Sequence, residues 1–103
     1  MYKVLRTPYF NKRFDKIIPK NLQEDIKCRI LKFSENPYNG KPLGNSLWEM
    51  KAGKFRRYYI ISNSQMVVLF VDVSDKKNQQ EIIDMLKEID FRDIIENYKN
   101  MNR

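Results

Sequence analysis

The run LWEMKAGKFRRYYIISNSQMVVLFVDV, residues 47–73, decides the fold. Leu47 to Ala52, Phe55 to Ser62 and Gln65 to Val73 are rich in aromatic and β-branched residues. Ala52-Gly53-Lys54 and Ser62-Asn63-Ser64 break them with tight-turn chemistry. Strand-formers joined by two such turns predict three consecutive antiparallel strands, a meander. Val67 to Val71 is apolar at every position, which predicts a strand covered on both faces. Alternation places Leu47, Glu49 and Lys51 on one face of the first strand and Trp48 and Met50 on the other. In the second strand Arg56, Tyr58 and Ile60 share a face, and Arg57, Tyr59 and Ile61 share the opposite one. The Trp48/Met50 face is expected to meet helices, with Lys51 toward the open side.

Outward from this meander the period becomes helical. On the N-terminal side, Tyr2 to Arg6 predicts a strand. Thr7 as N-cap and Pro8 at the first helical position open a helix. Phe10, Phe14, Ile17 and Ile18 form its apolar face, and Pro19 stops it. Asn21 is expected to cap a second helix, with Glu24 as capping-box partner. Leu22, Ile26, Ile30 and Phe33 form its stripe, and Cys28 beside it reads as a small hydrophobe. Asn36-Pro37 ends this helix, and residues 37–45 read as a loop. On the C-terminal side, Ile82, Ile83, Leu86 and Ile89 make one helical face. Asp90 then caps a further helix bearing Phe91, Ile94, Ile95 and Tyr98. The whole is one α+β domain, 1–103, with 79–103 as a C-terminal helical extension. The sheet is expected to have three or four mostly antiparallel strands packed on the N-terminal helical hairpin. The two terminal stripes are expected to dock on the domain.

Composition narrows the chemistry. The 103 residues hold 20 Lys+Arg against 13 Asp+Glu and no His. Without His there is no Ser-His-Asp or Cys-His triad and no His-bearing zinc site. A single cysteine excludes an internal disulfide framework. No metal-ligand or phosphate-loop signature is present, so no cofactor is expected. The longest apolar run, Met66 to Val71, is far short of a membrane span. A cytoplasmic protein with no membrane partner is the expectation. The excess positive charge lies in residues 1–62, while residues 63–103 are net acidic. A basic body suits a polyanionic partner.

The succession Asn36-Pro37, Gly40-Lys41-Pro42-Leu43, Leu47-Trp48-Glu49-Met50-Lys51, Phe55-Arg56-Arg57-Tyr58-Tyr59 and the apolar strand Val67–Val71 resembles the RelE/ParE superfamily of toxins from type II toxin–antitoxin modules. The resemblance covers about residues 1–83 and favours the RelE branch. It implies a ribosome-dependent mRNA interferase that inhibits translation, an endoribonuclease. Its implied partners are a short, acidic, RelB-like antitoxin, the ribosome and mRNA, and it allows a toxin–antitoxin heterotetramer. The ParE branch implies instead inhibition of DNA gyrase, and a degenerate member would keep antitoxin binding alone.

By this resemblance Arg56 matches the phosphate-gripping Arg and Lys77 the second Arg. No Tyr or His stands near residues 77–83. Lys keeps the charge but not the planar fork. Cleavage by 2′-OH attack needs a proton acceptor, a stabiliser of phosphorane charge and a proton donor. The candidate catalytic set is Arg56, Lys51, Lys77, Glu49 and Tyr58, with Lys54, Arg57 and Lys76 as RNA- or phosphate-binding residues. Glu49 reads either as a general base or as a surface partner of Lys51 or Arg56. Tyr58 reads as a base-stacking or proton-donating residue, and Tyr59 as core. Lys51, Arg56, Lys76 and Lys77 are expected to converge in one groove.

Overall fold

The computed structural model describes residues 2–31 and 35–101, the side chains at 27–31 and 98–101 excepted. Its elements are β1 (Lys3–Arg6), α1 (Pro8–Ile17), α2 (Lys20–Leu31), a 3₁₀ turn (Pro37–Asn39), β2 (Lys41–Gly44), β3 (Leu47–Ala52), β4 (Phe55–Ser62), β5 (Val67–Asp75), α3 (Gln79–Lys87) and α4 (Phe91–Met101). The helical hairpin, the meander and the C-terminal helices stand where the sequence puts them. One sheet carries all five strands in the order β1-β5-β4-β3-β2. β1 runs parallel to β5, and every other pairing is antiparallel.

Capping chemistry sets the first helix. Thr7 accepts the Phe10 N–H at 2.9 Å and Pro8 follows at a position that needs no donor. The second helix differs from expectation: it begins at Lys20, directly after Pro19, so Asn21 lies inside its first turn rather than capping it. The Gln23 amide reaches back to the Ile18 carbonyl instead, at 3.0 Å. Asp90 does cap α4, accepting the Arg92 N–H at 3.0 Å. Ile30, Phe33, Cys28 and Tyr98 lie outside the described side chains.

The expected loop at 37–45 is the second difference. Four of its residues form β2, an edge strand beside β3, and this makes the sheet five-stranded. Pro42 fits there because an edge strand can spare one donor. Asn45 and Ser46 both take positive φ, 53° and 65°, closing β2 onto β3 in a two-residue turn. Gly40 is required by contact: a Cβ there would collide with the Tyr59 hydroxyl and lie 2.6 Å from the Glu49 carbonyl oxygen.

Both faces of the sheet are covered. On one, Phe10 and Phe14 of α1, Ile18 and Ile26 pack on Phe55, Tyr59, Val68, Phe70 and Val73. Phe70 stacks at 5.6 Å from Phe10 and 5.2 Å from Tyr59, centroid to centroid. Trp48 and Met50 face this side, as alternation predicts, but are only half-buried. On the opposite face, Ile83 and Leu86 of α3 and Phe91 and Ile95 of α4 pack on Leu47, Tyr58, Ile60, Leu69 and Val71. The terminal stripes therefore complete a second core. Phe70 and Asp72 pair with Tyr59 and Tyr58, so Val71 is an extra residue, a β-bulge that shifts register mid-strand.

Candidate functional site

Cross-strand register gathers the polar residues at one end of the sheet. Lys51 of β3 pairs with Arg56 of β4, which pairs with Ser74 of β5. One rung inward, Glu49 pairs with Tyr58 and Tyr58 with Asp72. This end lies at the turn between β3 and β4 and at the loop from β5 to α3. The Lys76 N–H donates to the Lys54 carbonyl at 2.9 Å, tying turn to loop.

Arg56 is 5% exposed. Its Nε stands 3.2 Å from Glu49 Oε1, and its Nη1 donates to the carbonyls of Gly53 (3.0 Å) and Phe55 (3.1 Å). Glu49 is buried too, so its pairing with Arg56 is an interior ion pair and not the surface pair that strand alternation suggests. The Gln79 amide, in the first turn of α3, donates to the same Oε1 at 2.8 Å. Glu49 Oε2 has no hydrogen-bond partner.

Tyr58 is fully buried, and its hydroxyl lies 2.8 Å from Ser74 Oγ. It cannot stack on a base where it stands. Burial pushes its phenol up to about 12, with the Ser74 hydrogen bond acting against that. The phenol therefore stays protonated at neutral pH, able to donate a proton but not to accept one. Tyr59 is core, as expected: its hydroxyl donates to the Pro37 carbonyl at 2.9 Å, and burial pushes it up to about 12 as well.

Arg57 corrects a sequence assignment. The sequence assigns it to RNA or phosphate binding, but it is 0% exposed, on the face beneath α1 and α2. Its guanidinium donates to the Ile26 carbonyl (3.1 Å) and to Met50 Sδ (2.8 Å). It ties α2 to β3 and does not reach a surface where RNA could lie.

The remaining cations are exposed but divided. Lys54, Lys76 and Lys77 line one cleft together with Ile17, Pro19 and Phe55. Lys51 lines another, with Asn39, Gly40 and Lys41 along the β2–β3 edge. The single groove of the sequence reading is thus two clefts with the buried Arg56 apart from both.

Sequence reasoning passed over Asp72, Arg13, Ser74 and Gln79. Asp72 is fully buried; its Oδ1 accepts from the Val73 N–H (2.7 Å) and from Arg13 Nε (3.2 Å), while Oδ2 has no partner. Burial pushes its carboxyl above the usual range, opposed by the Val73 N–H and by Arg13. The visible signal is the acid that interrupts the apolar run Val67–Val73. Among the described residues no His/Cys/Asp/Glu group could hold a metal ion, and no helix is long and apolar enough to cross a membrane.

No protein-family model matches the chain, and no curated protein matches it. Solved structures do. The RelBE2 toxin–antitoxin complex of Mycobacterium tuberculosis aligns at TM-score 0.60 and 23% identity, over 72% of this chain and 90% of that one. The isolated RelE toxin of E. coli aligns at 0.62 and 17%, over 80% and 99%. A doubly substituted E. coli RelE in the free state aligns at 0.69 and 18%, over 85% and 97%. Over 72–85% of its length, then, this chain has the fold of the RelE toxins.

Proposed function

We propose that the protein is the toxin of a type II toxin–antitoxin module and acts as a RelE-like, ribosome-dependent mRNA interferase. Its partners are then a RelB-like acidic antitoxin, the ribosome and mRNA, in the cytoplasm. The observation that carries this is the gathering of Lys51, Lys54, Arg56, Lys76 and Lys77 around one end of a RelE-like sheet. Ammonium and guanidinium groups there stabilise the doubly charged phosphorane that 2′-OH attack creates. Glu49 is the carboxylate beside Arg56 and the candidate acceptor of the 2′-OH proton; Tyr58, held protonated, is the candidate donor. Both lie beneath α3, so RNA reaches them only when Gln79 gives up its bond to Glu49.

The experiment is toeprinting on translating ribosomes. The wild-type chain is expected to produce cleavage stops, and Arg56→Ala to lose them by about 10²-fold or more, as for other groups that act in the transition state. A second reading rests on the enclosure of Arg56: a ParE-like gyrase inhibitor, or a member that only binds antitoxin, has no use for an exposed arginine. Absent stops with inhibited supercoiling select gyrase, and absent stops with normal supercoiling select antitoxin binding alone.

A further inference from the structure

Asn39-Gly40 is the one Asn-Gly pair in the 103 residues. Such a pair reacts with itself. The glycine backbone nitrogen loses its proton and attacks the asparagine Cγ, the C–N bond of the side-chain amide breaks, and ammonia leaves a five-membered succinimide. Water then opens the ring at either carbonyl. One product is aspartate; the other is isoaspartate, with the main chain rerouted through the side chain. Glycine permits the attack because no Cβ crowds its nitrogen. Water is the only other reactant.

The fold holds this peptide in a guarded form. Asn39 is exposed and ends the 3₁₀ turn Pro37–Asn39, and its Oδ1 accepts from Asn36 Nδ2 at 3.3 Å. The attacking atom is held more firmly. The Gly40 N–H donates to the hydroxyl of the fully buried Tyr59, which itself donates to the Pro37 carbonyl at 2.9 Å. An N–H engaged by a buried hydroxyl is withheld from the attack. The product has no room either. Gly40 packs so closely that a Cβ would lie 2.6 Å from the Glu49 carbonyl oxygen, and β2 starts at the next residue, with Lys41 paired to Glu49. Isoaspartate inserts one more main-chain carbon just ahead of that contact. Either product sets a new carboxylate in the cleft lined by Lys41, Glu49 and Lys51.

We propose that Asn39-Gly40 is a self-modification site, closed in the folded chain and opened by unfolding, which turns time spent unfolded into a one-way loss of the β2 edge. Tyr59 is its guard. The reaction needs neither RNA nor a partner. Asn63-Ser64, in the exposed turn between β4 and β5, is the internal comparison. The Asn63 Oδ1 takes the Tyr2 hydroxyl at 2.7 Å, and the serine Cβ crowds the attacking nitrogen there whether the chain is folded or not.

The test holds the full chain at mildly alkaline pH, in buffer and in urea, and follows Asn39 by mass spectrometry with aspartate and isoaspartate scored separately. In urea Asn39 is expected to convert ahead of Asn63. In buffer its conversion should be slower by about tenfold or more, since the Gly40 N–H must first open. Tyr59→Phe deletes the guarding hydroxyl and should speed conversion in buffer by about tenfold, the population shift that one lost hydrogen bond allows. Should that variant fold poorly, the wild-type chain decides: conversion and exchange of the Gly40 amide proton should rise in parallel as urea is added below the unfolding transition. Conversion in buffer as fast as in urea overturns the guard, as does conversion that does not follow Gly40 exchange. Diluted from urea, the isoaspartate chain should lack the Lys41–Glu49 pairing when read by NMR, while Asn39→Asp, which brings the charge without the extra carbon, should keep it. Full pairing in the isoaspartate chain overturns the one-way loss, and lost pairing in Asn39→Asp overturns its backbone cause.

Discussion

The two faces of the sheet are built from the same strands and solve different problems. Beneath α1 and α2 the face is aromatic and nearly uniform: Phe10, Phe14, Phe55, Tyr59 and Phe70 interlock, and the buried Arg57 is bonded to backbone and sulfur. Beneath α3 and α4 the face is divided. Leu47, Ile60 and Leu69 meet Leu86, Phe91 and Ile95 at one end. Glu49, Arg56, Tyr58 and Ser74 fill the other. The first face supplies stability through shape. The second holds a buried ion pair, Arg56 with Glu49, whose carboxylate keeps one oxygen, Oε2, without a hydrogen bond. Keeping charge in the dry costs packing that an apolar face would gain, and the proposed site is built at that cost.

The largest effect expected is on the uniform face. Phe70→Ala removes a fully buried ring and should cost about 3–5 kcal/mol in urea unfolding. Ile95→Ala on the divided face should cost less, about 2 kcal/mol, since Ile95 retains some exposure and belongs to a terminal helix. Equal costs would erase the distinction between the faces.

Within the divided face, Glu49→Gln strands the Arg56 charge and should cost about 3 kcal/mol. Pairing Glu49→Leu with Arg56→Met should recover most of that while abolishing any activity. A single variant that costs nothing would mean that solvent already reaches the pair.

Titration sharpens the same contrast. Asp72 has its carboxyl raised by burial, so the folded chain holds that proton longer than the unfolded one. Its contribution to stability is complete below the unfolded value near 3.8 and is lost as pH rises through the higher folded value. Asp72→Asn removes the titration, so the variant's melting temperature relative to the parent should climb with rising pH. Tyr58 and Tyr59, both pushed up to about 12, act alike at the alkaline end: stability should fall as pH rises from about 10 toward 12. The phenolate absorbance lost in Tyr58→Phe and Tyr59→Phe variants, that of the two buried rings, should then appear with unfolding and not before it.

The smallest effect expected is at the β2–β3 turn, outside both cores. Ser46 sits at φ 65°, where glycine is the favoured residue, and Ser46→Gly should add up to about 1 kcal/mol.

Strand period and helix caps made most of this architecture legible. Thr7-Pro8, the Gly53 turn and the alternation through Trp48–Lys51 predict what the structure holds, because each is a local signal. Two features lay out of reach for physical reasons. The edge strand β2 has too few apolar residues to show a period, and its pairing is decided by Leu47–Glu49 across the turn. Arg57 reads as exposed because charge is mostly exposed. Its burial depends on Ile26 and Met50, 31 and 7 residues away in sequence. For the site, the sequence found the cations but not their division. Whether Lys51 and Lys77 share a groove is a matter of how β3 and the β5–α3 loop are spaced, and side-chain alternation carries no information on that.

The parallel pairing of β1 with β5 has a consequence in time. Lys3 to Arg6 register with Val67 to Phe70, and Phe10 needs Phe70 to stack upon. A chain made from its N-terminus therefore emerges with its first strand and first helix lacking their partners, while β2 to β5 can zip through short turns as they appear. Long-range closure of this kind is slow compared with hairpin formation. The meander should be the nucleus, and the N-terminal strand the last to lock. Hydrogen exchange pulsed during refolding should protect Tyr59 and Leu69 before Val4 and Leu5. The basic end of the sheet, from Lys51 to Lys77, is then complete only once residue 77 has been made and β5 has joined the meander.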